Sequence, residues 1–314
     1  LRKRTVAVAV TIAVVILALF AFLSQNQPSH DSPDSALLQE TSGFTVQTDV
    51  AYLNDSSPYH KLDVYLPNTS GPFPAIIYIH GGGWVQGNKS ELSDVAQLYA
   101  KRGIAGFSID YTLAKTNQSA WPQNIEDVIA ALSFIKQNAA IYHIDVDRIA
   151  VLGSSAGGQL ASLVGTLQGN ESFLSSTDFN GTLHNQVCLV MNYDGVEDLE
   201  YVGQNSTINI NLLINIINSQ FGGVTYTQNA SLWREASPVT YISADDPAFI
   251  FVHGAEDRIV PIQVAQSFNS KLQAAGVETY FIQIEAYHNI LDNEAINLQA
   301  RYTLDPLLKQ AFHL

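Results

Sequence analysis

The 314 residues include one cysteine, one methionine and only 15 lysines and arginines, against 29 aspartates and glutamates. A single cysteine excludes an intrachain disulfide and any cysteine-built metal site. Cys188 lies in the apolar run Val187-Cys188-Leu189-Val190 and reads as a small buried hydrophobe. A net charge of −14 leaves no basic surface able to track a phosphate backbone, so nucleic acid is excluded as a partner. Charged residues make up only 14% of the chain and hydrophobic ones 46%, which excludes extended disorder and provides for a sizeable core. No internal repeat, no P-loop Lys-Ser/Thr and no Gly-x-Gly-x-x-Gly fingerprint is present, and no cofactor or metal is expected.

The longest uncharged apolar run stands near the start. Arg2-Lys3-Arg4 precedes it, and residues 1–24 read as a signal peptide or an N-terminal membrane anchor. The basic flank directs the rest of the chain outward, so an extracellular or cell-surface location is expected, with membrane attachment if the segment stays uncleaved. Residues 25–42 are polar, rich in Pro and Ser, and read as a linker. Asn-x-Ser/Thr sequons begin at Asn54, Asn68, Asn88, Asn117, Asn170, Asn180, Asn205 and Asn229, consistent with a glycoprotein.

From residue 43 onward strand and helix signals alternate. Residues 44–52 and 61–66 alternate apolar and polar side chains, as a pair of antiparallel strands does. Residues 75–80, 104–109, 148–152, 187–193 and 248–253 are continuously apolar, as strands buried on both faces are. Between them the spacing of Ile125, Val128, Ile129, Leu132 and Ile135 predicts a helix over residues 124–138. Further helices are expected over residues 91–102, 155–167 and 264–275, and a last strand over 279–284. Residues 293–312 read as helical with a break or kink at Pro306. Such alternation predicts a mostly parallel sheet with helices on both faces. Residues 168–240 fit least well and could form a cap over a cleft.

The chemistry centres on Gly153-Ser154-Ser155-Ala156-Gly157, which follows a buried strand and opens a helix. That layout is a nucleophile elbow, with Ser155 at the tip of a sharp turn. Hydrolysis by a serine needs a base, an acid to orient it, and donors for the oxyanion. Asp257 and His288 each follow a predicted strand, in the chain order serine, acid, histidine. Glu256 is the alternative acid. Gly81-Gly82-Gly83 comes straight after a buried strand and suits backbone N–H groups aimed at a ligand. Gly82 and Gly83, with Ala156, are the candidate oxyanion donors.

The set His80-Gly81-Gly82-Gly83-Trp84, Asp110-Tyr111, Gly153-Ser154-Ser155-Ala156-Gly157-Gly158, His253 to Pro261 and His288 resembles the α/β-hydrolase superfamily. Within it the chain is similar to the carboxylesterase branch, near the hormone-sensitive-lipase-like and feruloyl/acetylxylan-esterase-like groups. The resemblance covers residues 43–314. It implies an α/β-hydrolase fold, with an eight-stranded, mostly parallel sheet whose first two strands run antiparallel to the rest. It also implies a small-molecule ester substrate, hydrolysed through an acyl-enzyme without a cofactor. Two positions depart from the hormone-sensitive-lipase pattern. Ser154 stands where that elbow carries Asp, and Thr112 where an Arg commonly follows Asp-Tyr.

These departures leave the substrate open. Short-chain acyl or acetyl esters are the leading expectation; amide or formamide hydrolysis and peptidase activity on the same fold are alternatives. A non-catalytic adhesion or receptor module is the alternative of another class. Trp84, Trp121 and parts of residues 168–240 are expected to wall the cleft, and Asp110 and Asp127 to brace the loops beneath the elbow. The oligomeric state is open.

Overall fold

The continuously apolar strands occupy the centre of one sheet. A computed structural model describes residues 37–41, 43–167, 186–205, 211–288, 290–292 and 294–314. The expected leader (1–24), most of the expected linker and part of the expected cap (168–185 and 206–210) lie outside the described residues. Among those described, no helix is long and apolar enough to cross a membrane.

The strands are β1 (Phe44–Ala51), β2 (Lys61–Pro67), β3 (Phe73–Ile79), β4 (Ala105–Ile109), β5 (Ile144–Ser154), β6 (Leu189–Tyr193), β7 (Ala248–Gly254) and β8 (Thr279–Ile284). They form one eight-stranded sheet in the order β1-β2-β4-β3-β5-β6-β7-β8. Every pairing from β4 to β8 is parallel. This is the α/β-hydrolase fold. One implied detail needs correction. β2 is antiparallel to both β1 and β4, so β2 alone opposes the rest and β1 runs with them. Two neighbouring strands that pair antiparallel cannot both oppose the remainder of the sheet.

Among the described residues, the α-helices of six or more residues are α1 (Ser93–Ala100), α2 (Gln123–Gln137), α3 (Ala156–Thr166), α4 (Leu199–Gln204), α5 (Asn211–Gln220), α6 (Ala230–Glu235), α7 (Ile262–Ala275) and α8 (Glu294–Phe312). The two-residue period of β3 divides them between two layers. Ala75, Ile77 and Ile79 pack on one face with Ile125 and Leu132 of α2, Leu160 and Val164 of α3, and Phe268 of α7. Ile76 and Tyr78 pack on the other with Val95 and Tyr99 of α1 and Leu304, Leu308 and Phe312 of α8. At about 1.5–3 kcal/mol for each fully buried large aliphatic or aromatic side chain, these two layers are the main stabilising term.

Pro306 does not break its helix: α8 runs through it. The proline removes one N–H, but Leu304, Leu308 and Phe312 are fully buried on the same helix. Their burial outweighs the loss of a single backbone bond.

Candidate active site

β3, β5, β6, β7 and β8 all end at the same edge of the sheet, and the loops that follow carry Gly81 to Trp84, Ser155, Asp194, Asp257 and His288. This is the carboxyl edge where parallel sheets bind ligands.

Ser155 sits between β5 and α3 with φ 54° and ψ −115°. Such a conformation costs an L-residue about 1–3 kcal/mol and is held only by its surroundings. Its N–H donates to the Tyr193 carbonyl on β6 at 2.7 Å, and its own carbonyl accepts from Gln159 N–H at 3.1 Å. Gly157 lets α3 press against β3: a Cβ there would collide with the Ile79 carbonyl. All residues of α3 are buried, which explains its run of small side chains.

The expected acid and base stand beside this serine. His288 Nδ1 lies 2.7 Å from Asp257 Oδ2, and His288 Nε2 lies 2.9 Å from Ser155 Oγ. A carboxylate only accepts, so Nδ1 carries the proton and Nε2 is free to accept from the serine hydroxyl. The Asp257 side chain is fully shielded from solvent. Its other oxygen accepts from Ile259 N–H at 2.8 Å and Val260 N–H at 2.9 Å. Burial works to raise the Asp257 pKa. Hydrogen bonds from His253 and His288, and the charge on His288, outweigh it and hold the carboxyl far below the usual range. Glu256 is exposed, and its N–H donates to the Ala286 carbonyl.

The glycine loop is strained and braced. Gly82, Gly83 and Trp84 all have positive φ, at 96°, 59° and 61°. A Cβ on Gly82 would run into the Gln86 carbonyl. Tyr111 Oη donates to the His80 carbonyl at 2.9 Å, and its ring stacks on His80 at 4.3 Å. Burial drives the His80 pKa down to about 4, so this histidine is a neutral strut. The Trp84 indole N–H donates to Gln159 Oε1 at 3.1 Å, and Gln159 Nε2 donates to the Ala236 carbonyl. The loop is thereby tied to α3. Ala156 opens α3, so its N–H sits at the positive end of the helix dipole.

Gly82, Gly83, Ser155, Ala156 and His288 share one cleft of about 690 Å³. Val196, Leu213, Ile216 and Ile259 supply apolar wall, and Gln86, Asn215 and Ser219 polar wall. Trp84 lines this cleft as expected, but Trp121 does not. Its indole is 6% exposed and packs in the core with α2. Asp110 accepts from Lys89 N–H and Asp127 from Thr112 N–H, each fixing a loop.

Four residues beyond the expected six shape the site: Tyr111, Gln159, Asp194 and His253. His253 Nε2 lies 2.9 Å from the Val260 carbonyl and 3.4 Å from Asp257 Oδ2. Asp194, Asp257 and His288 bring ligand-type atoms within 4.8 Å of one another. Within that group His288 Nδ1 bonds Asp257 Oδ2, while the two Asp194 oxygens accept from the backbone N–H groups of Gly254 and Ile290.

The BD-FAE family model matches residues 62–272. The chain is similar to the probable carboxylic ester hydrolase LipM of Mycobacterium tuberculosis, with 32% identity over 206 residues, 65% of this chain and 46% of that protein. It is similar to the probable isoprenylcysteine alpha-carbonyl methylesterase ICMEL1 of Arabidopsis thaliana, with 27% identity over 241 residues, 73% of this chain and 48% of that one. The chain spans about half the length of the curated relatives it matches. Among solved structures, a truncated form of a carbohydrate esterase from gut microbiota aligns with a TM-score of 0.75 and 26% identity, over 88% of this chain and 100% of that one.

Proposed function

The chain belongs to the BD-FAE family, and we propose that it is a serine hydrolase cleaving carboxylic esters through an acyl-enzyme. The observation that carries this reading is the unbroken line from Asp257 Oδ2 through His288 to Ser155 Oγ. Ser155 Oγ attacks the acyl carbon while its proton passes to His288 Nε2. Asp257 holds the imidazole in the tautomer that accepts this proton and stabilises the imidazolium that results. The carbonyl oxygen gathers negative charge and is met by the N–H groups of Gly82, Gly83 and Ala156. His288 returns the proton to the departing alkoxide. Water then repeats the sequence on the acyl-enzyme and releases the acid.

Short acyl groups suit the site best. Ile216 of α5 leans over the glycine loop, with its Cγ2 2.8 Å from where a Cβ on Gly83 would stand. In this reading α5 acts as part of a cap over the acyl group. The likeness to a carbohydrate esterase makes acetylated sugars worth including beside simple esters.

The test is covalent labelling with a fluorophosphonate, followed by turnover of p-nitrophenyl acetate, butyrate and a peracetylated sugar. Labelling and turnover are expected in the intact protein, and both vanish in Ser155→Ala. A folded protein that takes no label is not a serine hydrolase. Label that survives Ser155→Ala means the nucleophile is another residue.

We propose further that the domain lies outside the cell, with residues 1–24 as signal or anchor and exposed sequon asparagines such as Asn54, Asn68 and Asn205 as glycan acceptors. Intact-mass measurement on protein from its native host reads both. A mass equal to that of the uncleaved, unmodified chain rejects glycosylation and leaves only the anchor.

A further inference from the structure

Asp194 lies one residue past β6 and is completely buried, yet it does not line the cleft. Its backbone has φ 50°, a left-handed conformation uncommon outside glycine that aspartate and asparagine tolerate best among the other residues. Both its backbone and its side chain are held. Its N–H donates to the Val252 carbonyl on β7 at 3.1 Å. Its Oδ1 accepts from Gly254 N–H at 3.0 Å, and its Oδ2 from Ile290 N–H at 3.3 Å. Gly254 stands three residues before Asp257, and Ile290 two residues after His288. One carboxylate therefore bridges the backbone of the loop carrying the acid and the loop carrying the base.

Its charge also falls in a particular place. A carboxylate atom of Asp194 lies within 4.8 Å of ligand-type atoms of both Asp257 and His288. We propose that Asp194 is a positioning residue with two tasks: it locks the acid and base loops to each other, and it sets a second negative charge beside the imidazolium of His288. This rests on the serine-hydrolase reading above. During acylation Ser155 Oγ–H gives its proton to His288 Nε2, Nδ1–H stays bonded to Asp257, and a positive charge appears on the ring. Asp257 meets that charge directly; Asp194 meets it from the end of β6.

Among the described residues, other ionisable groups also stand near His288. His253 approaches Asp257 Oδ2 from the end of β7. Glu197, fully buried beyond Asp194, interacts with His253. Glu256 and Arg258 flank Asp257 in sequence and are exposed. Burial raises the Asp194 pKa, and interactions with His253, Gly254 N–H and His288 oppose the rise.

The experiment compares the wild-type chain with Asp194→Asn, with rates normalised to sites titrated by fluorophosphonate so that misfolded protein does not count. Loosening the two loops is expected to lower kcat for p-nitrophenyl acetate by about a hundredfold, with little change in KM. With the negative charge beside the imidazole removed, the acid limb of the kcat/KM profile is expected to move to lower pH by about half a unit or more. A residue that only stabilises the fold would not move that limb. If Asp194→Asn does not fold, Asp194→Gly, which tolerates the positive φ, is expected to show the same displacement. An acid limb that stays in place in the folded variant overturns the proposal. A wild-type chain that takes no label overturns the serine-hydrolase reading instead, so the two failures are distinguishable.

Discussion

At the scale of single residues, the division of labour among the carboxyl groups decides what the site can do. Asp257 and Glu256 are adjacent in sequence, but the turn after β7 sends only Asp257 to His288, while Glu256 faces solvent. Asp257→Asn should therefore lower kcat on the order of a thousandfold or more, since an amide at that position favours the wrong imidazole tautomer. Glu256→Gln should leave kcat within about twofold, as surface substitutions usually do. Steady-state kinetics on both variants checks this, and the reverse ranking would exchange the two roles. Ser155, Asp257 and His288 were legible in the sequence because each follows a strand signal and their order is restrictive. Asp194 carries the same signal, a carboxylate just past an apolar run. Nothing in the sequence separates it from an ordinary loop carboxylate, because a serine hydrolase needs only one acid. Tyr111 and Gln159 were illegible as braces, since the groups they join are 31 and 75 residues away in the chain.

At the scale of elements, the strands were readable because burial on both faces writes an uninterrupted apolar run. The direction of β1 was not, because periodicity is the same for a strand read in either direction. The contact between α5 and the glycine loop was also hidden. An amphipathic stretch announces that one face is buried, but not that Ile217 turns to the core while Leu213 and Ile216 reach the cleft. On the proposed ester-hydrolase reading, that placement lets α5 bear on acyl size. Ile216→Ala should improve kcat/KM for octanoate relative to acetate by about tenfold, because one or two methylenes of pocket wall are worth roughly 1–3 kcal/mol. Ile216→Trp should do the opposite. An acyl-length series of p-nitrophenyl esters measures both, and parallel series in the variants and wild type would remove α5 from the specificity argument.

At the scale of the whole molecule, the helical layer of α1 and α8 is closed by a short strap just ahead of the first strand. Leu38 is buried against the layer that holds α1 and α8. Its N–H donates to Asp305 Oδ2 on α8 at 3.0 Å, and its carbonyl accepts from Arg102 Nε at 2.7 Å. Thr41 N–H adds a bond to the Lys101 carbonyl just past α1. Asp305 also accepts from Tyr99 Oη and Arg301 Nη2, so the strap completes a buried polar group that joins α1 to α8. The compact unit accordingly begins at Leu38, inside the stretch that composition alone assigns to a linker. Composition does not mark where such a stretch ends; that is set by where the first side chain finds a core. A variant beginning at residue 37 should keep full ester turnover and stability, whereas one beginning at residue 43 loses the strap. Burial of Leu38 and the bonds it makes together contribute about 3 kcal/mol, allowing for water taking up part of the freed hydrogen bonding. For a domain of this size, that corresponds to a drop in Tm of roughly 6–12 °C. Thermal unfolding of the two truncated variants side by side makes the measurement. Equal Tm values would mean that residues 38–41 lie on the domain without holding it together.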